Sequence, residues 1–138
     1  MAIEVQGLTP LIQVFNMPRS LAFYRDVLGF AVISDSGNGD DSSWVWLRSD
    51  GCDLMLNDQY EAGNVPDAPT AERSEWHSDT CFYFGCADVD AAYEYLRSKG
   101  LEPDPPKVAP YGMKQLYVCD PDNYNICFQS SVDRHANG

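Results

Sequence analysis

Apolar residues recur along this chain in two rhythms, a two-residue step suited to half-buried strands and a three-to-four-residue step suited to helices. Residues 9–15 (TPLIQVF) read as a strand, followed by Asn16, Met17 and Pro18. These three mark a helix start: an Asn side chain accepts an otherwise unpaired backbone N–H, and a first-turn proline has no N–H to lose. Leu21, Tyr24, Val27 and Leu28 keep helical spacing over 20–28, and Gly29 ends the helix. A strand over 30–34 and a polar, turn-rich loop over 35–43 come next. Residues 44–47 and 53–57 alternate around Ser49-Asp50-Gly51 as a hairpin.

The second half repeats this order. Residues 80–86 (TCFYFGC) form an aromatic strand, and Asp88 is placed to cap a helix over 89–99 that carries Ala92, Tyr95 and Leu96 and stops at Gly100. A proline-rich strand over 101–108 and a turn at Tyr111-Gly112 follow. The last hairpin pairs 114–119 with 124–130 through Asp120-Pro121-Asp122-Asn123. Residues 59–78 lack a clean period and read as a long connection, and 132–138 as a frayed tail. Strand, capped helix, glycine stop and three strands thus occur twice, which favours duplication of one βαβββ unit. The expected fold class is α+β: one domain over 1–138, with modules at 8–58 and 79–131 forming a curved mixed sheet around a concave pocket.

Alternation splits each strand into two faces. Ile12, Val14, Val45, Leu47, Leu54, Leu56, Phe82, Phe84, Leu116, Val118, Ile126 and Phe128 make an aliphatic and Phe set, as a helix-covered face requires. The opposite set contains Leu11, Gln13, Trp44, Trp46, Asp53, Met55, Cys81, Tyr83, Gln115, Tyr117, Asn125, Cys127 and Gln129. It mixes large apolar area with a few polar handles, which is what a cavity for an organic ligand needs. Tyr111 and Met113, beside the last hairpin, extend the expected ligand-binding set.

The 138-residue length fits one domain, and 44% apolar with 22% charged residues is a globular balance. No apolar run is long enough to span a bilayer, and residues 1–7 lack the basic and apolar segments of a secretory signal, so a cytoplasmic protein is expected. Five cysteines without a CxxC pair point to free thiols. A net charge of −12 argues against a phosphate backbone as partner and leans toward cationic or aromatic small molecules.

The segments NMPRSLAFYRDVLGF (16–30), CDLMLN (52–57), ADVDAAYEYLRSKG (87–100) and PYGMKQLYVCDPDNYNICFQ (110–129) resemble the glyoxalase, bleomycin-resistance and extradiol dioxygenase group, the vicinal oxygen chelate superfamily. The resemblance implies a metal position on each of four inward-facing strands. In this chain those positions read Thr9, Asp53, Cys81 and Cys127, and only Asp53 is a usual ligand for that family. The resemblance therefore points to the metal-free, bleomycin-resistance-like branch, with no cofactor, a homodimer, and antibiotic resistance by sequestration in a cleft. The alternatives are one divalent metal, zinc if any, held by Asp53, Cys81 and Cys127 with a water, and a lyase, isomerase or dioxygenase. In the enzyme, Asp53 would be a metal ligand, or a base with a pKa raised by its aromatic surroundings. His77 reads as an exposed loop residue, and His135 lies in the tail.

Overall fold

The computed structural model describes residues 2–58, 60 and 63–132, in two compact units, Met1–Pro69 and Thr70–Gly138. His135 and most of the expected tail fall outside the described residues. Among the described residues no helix is long and apolar enough to cross a membrane.

In the first unit, β1 (Leu11–Val14), β2 (Ala31–Asp35), β3 (Trp44–Ser49) and β4 (Cys52–Asp58) form a mixed sheet in the order β1-β4-β3-β2. β1 runs parallel to β4, and the other pairs are antiparallel. Helix α1 (Met17–Leu21) begins at the expected Asn16-Met17-Pro18 signal, where Asn16 accepts the Arg19 N–H and Pro18 occupies the first turn. It widens into a π-helical stretch over Ala22–Val27. This stretch buries two consecutive aromatics, Phe23 and Tyr24, which meet edge to face at 5.1 Å. Gly29, at φ +89°, lets the chain reverse so that the Phe30 N–H reaches the Tyr24 carbonyl. Phe30 then packs on Tyr24 instead of starting the strand, so β2 begins one residue later than expected and lies exposed along the sheet edge.

In the second unit, β5 (Cys81–Gly85), β6 (Lys107–Val108), β7 (Met113–Cys119) and β8 (Asn125–Ser131) repeat the arrangement as β5-β8-β7-β6, again with its first pair parallel. Helix α3 (Val89–Ser98) is capped by Asp88 and closed by Gly100 at φ +92°. The Leu101 N–H bonds Leu96 O and the Gly100 N–H bonds Arg97 O, a Schellman closure. Two expectations change here. Three prolines in 101–108 remove ladder donors, so only Lys107 and Val108 pair. The connection over 59–78 contains a helix, α2 (Ala71–Trp76), started by the Thr70 hydroxyl accepting the Arg73 N–H.

Strand alternation assigns the cores well. Ile12, Val14, Val45, Leu47, Leu54 and Leu56 are buried with Met17, Leu21, Phe23 and Tyr24 in the first unit. Leu116, Val118 and Ile126 are buried with Val89 and Leu96 in the second. Each such side chain contributes roughly 1.5–3 kcal/mol by leaving water. Phe82 and Phe84 are only half-buried, because β5 is an edge strand. His77, expected on an exposed loop, is buried: its ring stacks on Tyr124 at 3.7 Å. The side chains of Asn123 and Asn125 hold the flanks of α2, bonding the Ser74 hydroxyl and the Ser78 and Thr80 carbonyls.

Candidate functional site

The strand registers of the second unit lay nine residues in three rows on the polar face of its sheet: Cys119-Asn125-Cys81, Tyr117-Cys127-Tyr83 and Gln115-Gln129-Gly85. Lys107 of β6 lies opposite Gln115 and extends the third row. Hydrogen bonds connect the side chains. The Tyr83 and Tyr117 hydroxyls are 3.4 Å apart, and Tyr117 donates to Gln115 Oε1 at 3.3 Å. The Gln115 amide nitrogen donates to the Tyr111 hydroxyl at 2.9 Å and to Gln129 Oε1 at 3.0 Å. Gln115 is 7% exposed, whereas Tyr83 and Tyr117 keep about half their surface, 52% and 47%. The hydrogen bond to Tyr83, with burial, pushes the Tyr117 phenol well above its ordinary value. A groove of about 340 Å³ opens beside Gln115 and Tyr117, walled by the proline-rich 104–110 segment. A shallower one of about 490 Å³ is lined by Met113 and Gln129 with Gly85 and Cys86.

The first unit carries a matching face. Met55 lies between Leu11 and Trp46, and Asn57 between Gln13 and Trp44. The two indoles meet edge to face at 6.4 Å. Asp53 lies opposite Arg48, which donates to its two oxygens at 2.7 and 2.8 Å, and the Trp46 indole N–H adds a third bond at 3.1 Å. The Arg48 guanidinium first, then Trp46, hold the Asp53 carboxyl below the usual range. The raised pKa that a catalytic base would need is therefore absent: an arginine, not bare aromatic surface, faces the carboxylate. Thr9 and Asp53 both line a small cavity of about 240 Å³ that also holds Arg48. A larger cavity, about 750 Å³, lies by Asn16, Asp41 and Asp58 and includes none of the expected ligand residues.

The side chains at the four family metal positions do not fit a divalent ion. Asp53 is committed to Arg48 and Trp46. Burial raises the Cys81 and Cys127 thiols, which must ionise to bind zinc. Thr9 offers one neutral hydroxyl.

The expected residues thus fall into two groups. Leu11, Gln13, Trp44, Trp46 and Met55 share the first unit's face, and Tyr83, Tyr111, Met113, Gln115, Tyr117, Asn125 and Gln129 the second's. Sequence reasoning missed Arg48, Lys107 and Cys119. Extending the two-residue alternation of β3 and β7 by one step would have found Arg48 and Cys119. Lys107 was hidden by the prolines around it.

A model of the Glyoxalase/Bleomycin resistance protein/Dioxygenase superfamily matches residues 8–128. The chain is 34% identical over 107 residues to the YaeR protein of Escherichia coli (strain K12), covering 75% of this chain and 78% of YaeR. It is 32% identical over 108 residues to YwkD of Bacillus subtilis (strain 168), covering 75% and 80%. Among solved structures it superposes on TnmS3, an antibiotic binding protein from Streptomyces sp. CB03234, with a TM-score of 0.65 and 22% identity over 95% of this chain and 98% of TnmS3.

Proposed function

The chain belongs to the glyoxalase/bleomycin resistance protein/dioxygenase superfamily, and on that premise we propose that it is a metal-independent protein that holds a small aromatic molecule noncovalently and sequesters it. The observation that carries this reading is the Tyr83-Tyr117-Gln115 chain with its branches to Tyr111 and Gln129. It joins exposed aromatic faces to amide and phenol groups, which orient a ligand but neither generate a nucleophile nor abstract a proton at neutral pH. Pairing of Asp53 with Arg48 supports binding over base catalysis, and it neutralises the carboxylate that would attract a cation to the first unit's face. The likeness to an antibiotic binding protein supports a drug-like ligand, and with it a role in antibiotic resistance. We take the working form to be a cytoplasmic homodimer, a reading supported by the exposed apolar side chains Ile3, Val5 and Leu8, which a subunit contact would cover.

Native mass spectrometry of protein purified without added metal, with metal content measured on the same sample, tests this. The expected result is a dimer that takes up aromatic ligands stoichiometrically and returns them unchanged. One tightly bound transition metal per chain, or conversion of the ligand, would overturn it. Asp53→Asn should retain affinity for an uncharged ligand, whereas an enzyme using this carboxylate would lose most of its turnover.

A further inference from the structure

The hydrogen bonds around Gln115 have a direction, and that direction names a ligand class. Tyr117 spends its proton on Gln115 Oε1, so its oxygen is left to accept from Tyr83. Both N–H groups of the Gln115 amide are spent, one on the Tyr111 hydroxyl and one on Gln129 Oε1. Two consequences follow. Tyr111, having accepted, keeps its own O–H to give away. Gln129, having accepted through its oxygen, keeps both N–H groups of its amide. Lys107, which faces Gln115 from β6, brings an ammonium to the same row and lines the 340 Å³ groove. At the other end of the chain the Tyr83 hydroxyl meets Tyr117, and the Cys81 thiol donates to its neighbour's carbonyl, that of Phe82. The open end of the network therefore offers donors.

We propose that this face selects aromatic ligands bearing a hydrogen-bond acceptor, such as a ring ketone, with the acceptor lodged among Lys107, Tyr111 and Gln129 and the ring plane against Tyr117. The inference rests on the reading of this face as an aromatic-ligand site. It adds a polarity that aromatic stacking alone does not provide, since every aromatic ring has a π-face whereas only some carry an acceptor. The ligand is neutral: the single cation of the groove, Lys107, shares its walls with one carboxylate, Asp104.

Three bicycles of nearly equal shape separate the possibilities: 1-indanone has an acceptor and no donor, indole has an N–H donor, and indane has neither. Each is titrated into ¹⁵N-labelled full-length protein, and the side-chain amide resonances of Gln115 and Gln129 are followed by NMR. 1-Indanone should bind about five-fold more tightly than indole or indane, one hydrogen bond's worth of discrimination. Tyr111→Phe and Lys107→Met, both at exposed positions, should each reduce the ratio of 1-indanone to indane affinity by about two- to five-fold. A preference for indole would mean that the chain of hydrogen bonds runs in the opposite sense, and it would overturn the proposal. Equal binding of all three would also overturn it, leaving the aromatic site itself intact. If none of the three moves these resonances at millimolar concentration, the aromatic site fails as well.

Discussion

Replacing His77 by Phe probes the least satisfied polar group in the second unit. The imidazole is 9% exposed and lies flat on Tyr124, with ring centroids 3.7 Å apart and planes 11° from parallel. Neither ring nitrogen has a hydrogen-bond partner among the described residues. An unpaired buried polar group costs about 1–3 kcal/mol. A phenyl ring preserves the stack and removes that cost, while its slightly greater bulk takes some of the gain back. The net expectation at pH 7.5 is a stabilisation of about 1 kcal/mol, or an increase of roughly 3–6 °C in Tm. The pH dependence is the sharper readout. Burial, reinforced by the positive charge of Arg73, lowers the His77 pKa from its ordinary 6.5. A base with a depressed folded pKa is protonated first in the unfolded chain, so folded stability falls as pH drops below about 6.5 and levels off beneath the folded value. Urea unfolding followed by tryptophan fluorescence at pH 7.5, 6.5, 5.5 and 5.0 should show this loss in the parent protein. His77→Phe should flatten the profile over that range, so the difference between the two proteins widens toward acid. Equal pH slopes would refute the burial of an uncharged imidazole, and a destabilised variant with equal slopes would also remove the stacked geometry.

Further expectations concern both units. The Asp53 carboxyl is held low by Arg48, so its contribution to stability is present above about pH 3.8 and is lost only as pH falls through the lower folded value; a ¹³C titration of this carboxyl should show no inflection above pH 5, and one between 5 and 8 would contradict the ion pair. Among the thiols, exposed Cys52 should react with iodoacetamide at pH 7.5 well before Cys127, which is fully buried and raised by burial; comparable labelling of the two in peptide mapping would be inconsistent with the β8 register. Asp88→Ala removes the carboxylate that accepts the Ala91 N–H and should cost about 1 kcal/mol in urea unfolding. Ile126→Ala, at a position with no exposed surface, should cost about 2–5 kcal/mol, and a loss below 1 would mean that the core of the second unit is not where the alternation puts it.

Much of the architecture was legible because local signals agreed with each other. Asn16 and Asp88, Gly29 and Gly100, and the two-residue alternation all act within a few residues, so the caps, the helix stops and the buried face of each sheet could be read directly. What escaped was set by partners distant in sequence. The π-helical stretch over Ala22–Val27 also escaped, since the apolar spacing of 20–28 fits an ordinary helix equally well. His77 is buried because Tyr124, 47 positions away, provides a ring of matching shape, a contact like that of Asn125 with Ser78. The polar face was located by alternation, but its chemistry depends on cross-strand register. Gln115 meets Gln129, and Arg48 meets Asp53, only once the pairing of β7 with β8 and of β3 with β4 is known.

That register also explains what became of Asp53. A carboxylate whose side chain is 16% exposed on a sheet face needs compensation for the water it has lost, and a metal ion or an arginine can each supply it. Here the facing position on β3 is Arg48, whose planar fork satisfies both oxygens, while its guanidinium also lies 5.9 Å from the Trp46 ring. The arginine thereby joins the carboxylate to the aromatic surface and makes Asp53 a fixed part of the sheet face. On the second unit's face the remaining freedom lies in phenol and amide groups, whose hydrogen-bond sense is set by Gln115. In the proposed binding role, selectivity would come from the direction in which protons are donated along the sheet rather than from charge, on a chain whose net charge is −12.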